Sequence, residues 1–159
     1  MKLRQAEPGD AMAIARIWNR EIRDGVSTFN SVEKPVEEVA GMIAARPQAW
    51  IVAEVEGVVA GFATWSQFRG GVGYAHSFEH TVHLDAVARG RGVGRALMAA
   101  AEEGARREGA HVLVAGISGE NAAGIAFHEA MEFRHVGRMP EVGRKFGRWM
   151  DLILMQKML

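Results

Sequence analysis

The sequence predicts one α/β (α+β) domain, and three observations predict it. Strand-like runs and amphipathic helical stretches follow one another in the order β-α-α-β-β-β-α-β-α-β-β. Residues 111–117 are almost continuously apolar, as expected of a strand covered on both faces. No internal repeat, linker or low-complexity segment divides the 159 residues, and that length suffices for one substantial core.

Residues 2–6 read as a short opening strand, stopped by Glu7-Pro8-Gly9-Asp10. Asp10 is of the N-cap type, and Ala11, Ile14, Ala15, Trp18 and Ile22 recur along one face of the helix that follows. A polar stretch, 24–34, leads to Pro35 at the start of a helix running to about Arg46. Residues 50–55, the turn Glu56-Gly57 and residues 58–68 form a predicted β-hairpin. A glycine-rich loop over 69–73 precedes a strand over 74–84. The helix over 93–108 turns Val93, Ala96, Leu97, Ala100, Ala101 and Ala105 inward, and Arg95, Glu102, Glu103, Arg106 and Arg107 outward. After the buried run come a helix over 121–132 and strands near 133–139 and 146–155.

Composition narrows the function. Nineteen basic residues balance nineteen acidic ones, so no global field recruits nucleic acid or an anionic membrane. The absence of cysteine removes disulfides, thiolate metal sites and a cysteine nucleophile, and suits a reducing cytoplasm. With no long apolar run and no signal-like N-terminus, the chain is expected neither to span a membrane nor to be secreted.

The segment Arg89-Gly90-Arg91-Gly92-Val93-Gly94-Arg95 lies between a strand and a helix. Its glycines let the backbone turn tightly, and the helix start adds unpaired N–H groups and a positive dipole end. Such a loop receives a phosphate or pyrophosphate. It is not a nucleotide-triphosphate loop, because Gly94 is followed by Arg95-Ala96 and not by Lys-Ser/Thr. The dinucleotide fingerprint fails as well, since its third glycine falls at Arg95 or Leu97. The pattern met is Arg/Gln-x-x-Gly-x-Gly/Ala, through Arg89, Gly92 and Gly94. In this the chain resembles the GNAT superfamily of acetyl-coenzyme-A-dependent N-acetyltransferases.

Three further segments carry the resemblance. Glu79-His80-Thr81-Val82-His83-Leu84 is similar to a strand of the phosphinothricin-type acetyltransferases. Asn121-Ala122-Ala123 resembles their segment packed along coenzyme A. The stretch from Met139-Pro140 through Gly143, Lys145-Phe146-Gly147 and Trp149 to Asp151-Leu152 resembles their C-terminal motif, and points to the branch acting on phosphinothricin and methionine sulfoximine or sulfone. The resemblance implies a GNAT fold over residues 1–159, with a mixed central sheet of about seven strands flanked by about four helices. It implies direct acetyl transfer to a small-molecule amine, with Glu79 as general base, and a homodimer. Acetyl-CoA would contact the backbone of Val82, His83 and Leu84, residues Arg89, Gly90, Arg91, Gly92, Val93, Gly94 and Arg95, and Asn121. His128 holds the position of a tyrosine that protonates the leaving thiolate in many GNAT enzymes, and is the candidate acid; the alternative is a helix-surface histidine.

Chemistry supports the base: only a free amine has a lone pair, and a carboxylate in the cleft can take the ammonium proton directly or through one water. Alternation puts Ser77, Glu79, Thr81 and His83 on one strand face, with Phe78, His80, Val82 and Leu84 on the other. Two departures bear on the substrate: His83 replaces a tyrosine, and Ala75 replaces an arginine that often precedes the glutamate. Arg69 and Lys145 are therefore candidate cations for a substrate acid group, and Tyr74 a candidate pocket wall. His76, His80 and His83 cannot all face one metal ion on a strand, so no metal is expected. Trp18, Phe29, Trp50, Phe62 and Trp65 are expected in core or pocket walls, not as nucleic-acid platforms. The alternatives kept open are a peptide N-terminal or other small-amine acetyltransferase, and a non-catalytic acyl-CoA sensor.

Overall fold

In the computed structural model, which describes residues 1–159, seven strands join in one sheet. They are β1 (Lys2–Gln5), β2 (Trp50–Val55), β3 (Val58–Gln67), β4 (Ser77–Leu84), β5 (Val112–Ser118), β6 (Arg134–Lys145) and β7 (Arg148–Met158). The spatial order is β1-β2-β3-β4-β5-β7-β6. Four helices complete the fold: α1 (Ala11–Asp24), α2 (Val36–Ala45), α3 (Val93–Arg107) and α4 (Ala122–Ala130). Only β4 and β5 run parallel, because α3 carries the chain from one to the other.

Side chains assign the two faces. On β3, Phe62 is fully buried, with its ring centroid 5.4 Å from that of Trp18 on α1 and 6.0 Å from that of Trp50. Burying such a ring stabilises by about 1.5–3 kcal/mol. Gly61 and Trp65, of opposite parity, meet α3: a Cβ on Gly61 would lie 3.0 Å from Leu97, and one on Gly104 would lie 2.1 Å from the Trp65 indole. Ile14, Ala15 and Trp18 thus cover one face, and Leu97, Met98 and Ala101 the other.

Several elements differ from the sequence reading. The strand expected from 74 begins at Ser77, because Val72–Tyr74 form a 3-10 turn after Gly71. Asp10 precedes α1 but does not cap it with its side chain. Its carboxylate accepts from the Glu7 N–H at 2.8 Å and from Arg4 at 2.8 and 2.9 Å, and Arg4 holds it below the usual carboxylate range. Glu102 does not point outward. It is 6% exposed and accepts from Lys157 Nζ of β7 at 2.9 and 3.1 Å. The last two strands are longer than expected and close a hairpin at Phe146-Gly147.

Gly104 sits mid-helix, where glycine costs about 1 kcal/mol relative to alanine. The gap it leaves lets the Trp65 indole pass to Glu108, with Nε1 donating to Oε1 at 2.9 Å. Gly104→Ala should therefore destabilise the fold by about 1–3 kcal/mol despite its better helix propensity. A urea midpoint equal to or above that of the parent chain would contradict this packing.

Candidate active site

β4 and β5 pair only through Ser77, Phe78 and Glu79, opposite Val112, Leu113 and Val114. Beyond Glu79, β4 stays with β3 while β5 stays with β7 as far as Ser118, and the two strands part. Asp85 N–H donates to Ala60 C=O at 2.8 Å. Hydrogen-bonded pairs alternate in an antiparallel ladder, so His83 and Thr81 also direct their backbone groups at β3. Val82 and Leu84 then present their N–H and C=O groups to the gap. Of the three backbone positions expected to contact acetyl-CoA, His83 is thus committed to the β3 ladder.

At the end of β4 the chain turns through Ala86–Ala88 into the glycine loop. Gly90 and Gly92 adopt φ values of 71° and 77°, a region natural to glycine. Gly92 is the N-cap of α3, and the first bond into the helix is Ala96 N–H to Gly92 C=O at 3.1 Å. The N–H groups of Val93, Gly94 and Arg95 have no intrahelical partner. Arg89, Arg91 and Arg95 are exposed around them.

Glu79 lies where the strands part, on the α1 face with Thr81 and His83. Its carboxylate is accessible to solvent and forms no ion pair, yet its surroundings desolvate it enough to raise its pKa. The His83 ring packs 5.8 Å from Phe62 and 6.3 Å from Trp18. Burial lowers its pKa to about 4, with Glu21 pulling upward and Arg89 downward.

The other candidates fall into different settings. Lys145 is 4% exposed, and its ammonium donates to the carbonyls of Gly25 at 2.6 Å, Thr28 at 2.9 Å and Glu21 at 3.2 Å. All three donors are spent, so Lys145 anchors the segment after α1 and is not free to hold a substrate acid; burial lowers its pKa. Arg69 remains exposed, with its guanidinium carbon 5.5 Å from the centroid of the half-exposed Tyr74 ring. Gln67 Nε2 braces their loop through the carbonyls of Arg69 and Gly71, at 2.6 and 2.8 Å. Asn121 caps α4, Oδ1 accepting from Gly124 N–H at 2.9 Å.

His128 is not a surface histidine. Its Nδ1 lies 2.7 Å from the Gly124 carbonyl and its Nε2 lies 3.0 Å from His80 Nε2. Both ring nitrogens are engaged, so in this arrangement it has no proton directed at a leaving thiolate. His76 lies before β4, its Nδ1 2.7 Å from the Gly109 carbonyl. No group of three or more His, Asp or Glu side chains converges as a metal would require. No helix is long and apolar enough to cross a membrane.

Residues 13–133 match the model of the Acetyltransferase (GNAT) family. The chain belongs to the GNAT family. Its relatives include the L-methionine sulfoximine/L-methionine sulfone acetyltransferase of Salmonella typhimurium, 36% identical over 100% of this chain and 95% of the relative. A crystal structure of ribosomal-protein-alanine N-acetyltransferase from Brucella melitensis superposes with a TM-score of 0.95 at 38% identity, covering 100% of both chains. A phosphinothricin acetyltransferase from Sinorhizobium meliloti, in complex with acetyl-CoA, superposes with a TM-score of 0.93 at 31% identity, over 99% of this chain and 88% of that one.

This GNAT chain is an N-acetyltransferase that uses acetyl-CoA. Its own residues suit that co-substrate: open helix-start N–H groups and three arginines for phosphates, and an open strand edge at Val82 and Leu84 for the arm. The sequence reading passed over Glu21, which joins the loop to the opposite face. Its carboxylate accepts from Arg89 at 3.2 Å and from Ser27 Oγ at 2.6 Å. Its position just past the apolar stripe of α1 gave no signal. His80 was also missed as a partner of His128, because the pair is 48 residues apart.

Burial lowers the pKa of His80 to about 3 and that of His83 to about 4, so both rings are neutral in the folded protein. Unfolded histidines titrate near ~6.5. Below that pH the unfolded chain binds more protons, so stability held above about pH 6.5 is lost as the pH falls towards 4. The melting temperature should decline between about pH 6.5 and 5, and His83→Phe should flatten the decline. A flat wild-type profile over that window would contradict the neutral-ring assignment.

Proposed function

We propose that the enzyme acetylates the α-amine of a small amino-acid analogue of the methionine sulfoximine, methionine sulfone or phosphinothricin type. The observation that carries this reading is the full-length similarity to enzymes of that specificity, together with a lone accessible carboxylate at the parting of β4 and β5. In this reading Glu79 accepts the ammonium proton, directly or through one water, and its raised pKa makes it the stronger base. The released amine attacks the thioester carbonyl, and an N–H at Val82 or Leu84 donates to the oxygen as its negative charge develops. The N–H groups of residues 93–95, with Arg89, Arg91 and Arg95, hold the pyrophosphate, and Asn121 lines the coenzyme. Arg69 is the cation for the substrate acid group, beside Tyr74, since Lys145 is spent. Neutral His128 supplies no proton in its present pairing, so in this reading solvent protonates the thiolate. A cytoplasmic setting, which a cysteine-free chain suits, belongs to the same reading.

A second reading is peptide N-terminal acetylation, favoured by the similarity to the ribosomal-protein-alanine enzyme. Coenzyme A release with a panel of methionine sulfoximine, methionine sulfone, phosphinothricin, plain amino acids and short peptides separates the two. Glu79→Gln should lower kcat by about 10²–10⁴-fold and leave acetyl-CoA binding unchanged. Arg69→Gln should raise KM about tenfold for acceptors carrying a carboxylate, and little for amines without one. Turnover of peptides alone would replace the first reading with the second. An unaltered kcat in Glu79→Gln would remove the general base.

We also infer a homodimer. β6 is a free sheet edge, and Val136, Met139, Val142, Phe146 and Trp149 of the closing hairpin are exposed. Light scattering at micromolar concentration should give twice the 17.3 kDa chain mass, and Val136→Lys/Val142→Lys should give one. A wild-type mass of one chain would reject the dimer.

A further inference from the structure

Glu21 places a carboxylate where its own helix does not favour one. It lies in the last turn of α1, at the negative end of the helix dipole, and a negative side chain there costs stability. The side chain is only 18% exposed, so water does not fully relieve the charge. Its partners lie outside the helix: Ser27 Oγ donates to Oε2 at 2.6 Å, and Arg89 Nη2 donates to Oε1 at 3.2 Å. The next turn of chain leaves room for this carboxylate. A Cβ on Gly25 would lie 2.0 Å from Oε2, although the Gly25 backbone, at φ −101° and ψ 168°, suits any residue. Glycine at position 25 is thus explained by the space that the carboxylate fills, and not by the turn.

The two partners belong to two different sites. Arg89 opens the glycine loop, and with one guanidinium nitrogen spent on Glu21 the others remain for phosphate. Ser27 belongs to segment 25–34, which stands on the α1 face that Glu79 shares with Thr81 and His83. At its far end Lys34 Nζ lies 4.8 Å from the Trp18 ring centroid, and Trp18 packs against His83. Between them the Phe29 ring covers Gly143 of β6, where a Cβ would lie 2.6 Å from it. The segment therefore walls the α1 side of the fork, where an acceptor amine must stand to reach Glu79. These roles of Arg89 and Glu79 rest on the proposed function.

We propose that Glu21 is a positioning residue that links the coenzyme loop to the acceptor wall, through one carboxylate shared between Arg89 and Ser27. Coenzyme whose phosphates hold Arg89 fixes one end of the link, and so narrows the positions open to Glu21 and, through it, to Ser27. The acceptor then meets a wall already set, which lowers the cost of seating it. Two substitutions break the link differently. Glu21→Gln removes the charge and keeps the shape. Gly25→Ala keeps the charge but displaces the carboxylate from its place, and alanine suits the backbone there.

The test follows backbone amide signals of 15N-labelled protein as coenzyme A is added. In wild type the signals of Gly90 and Gly92 and those of Ser27 and Thr28 should move together. In Glu21→Gln and in Gly25→Ala the loop signals should still move, while Ser27 and Thr28 should stay in place. Initial rates give the second readout: both variants should raise the KM for methionine sulfone about five- to tenfold, with kcat and the KM for acetyl-CoA within about twofold of wild type. A wild type in which only the loop signals move, or variants in which Ser27 and Thr28 move as before, would overturn the proposal. So would a kcat that falls with KM unchanged, since that marks a role in the chemical step or in the fold at large. If coenzyme A moved neither set in wild type, the assignment of the loop would fall and the link with it. If methionine sulfone were not acetylated by wild type, the proposed substrate would fall, and the amide signals alone would decide the role of Glu21.

Discussion

Each strand at the centre of the sheet is held more firmly by its antiparallel neighbour than by the other central strand. β4 follows β3 from Phe78 to Leu84, and β5 follows β7 from Val112 to Ser118, whereas the parallel pair spans only three positions. Antiparallel pairing is also slightly the stronger per residue. Neither central strand gives up its outer ladder to keep the inner one, so the sheet opens along its middle. The site follows from that opening. It frees backbone groups at Val82 and Leu84, leaves Glu79 at the fork, and aims the chain into the loop that starts α3.

The two sides of the fork are braced differently. On the α1 side the segment after the helix has no regular structure before Pro35, yet it is tied from two directions. Lys145, at the far end of β6, gathers two of its carbonyls together with that of Glu21 in the last turn of α1, and the Glu21 carboxylate holds Ser27 while reaching Arg89. A wall built from a loop thus gains fixed geometry without a strand or helix of its own. On the α4 side the bracing is aromatic and imidazole: His128 packs against His80, Phe127 and Phe133, and Phe133 also against His80.

Helix faces were legible in the sequence because burial and period report the same thing. Ala11, Ile14, Ala15, Trp18 and Ile22 are all buried. The glycine loop was legible because positive φ demands glycine at two of its positions. Glu79 stood out by resemblance, and the sheet adds its accessibility and desolvation. What the sequence hid was pairing across distance. A lysine near the C-terminus reads as a surface charge until the carbonyls it meets, 117 to 124 residues earlier, are brought beside it. Glu102 read as outward because charge suggests solvent, and β7 supplies a lysine that its own helix does not reveal. The start of β4 was misplaced because alternation continues past the point where Gly71 has already turned the chain.

The cations around the helix start are all arginines, at 89, 91 and 95, while the lysines stand at positions 2, 34, 145 and 157. A guanidinium stays protonated at any pH where the protein is folded. A lysine ammonium at the same place could shed its proton wherever burial or a neighbouring cation lowered its pKa, and an arginine does not. The choice of arginine keeps the positive charge at this helix start fixed across the whole pH range in which the fold survives.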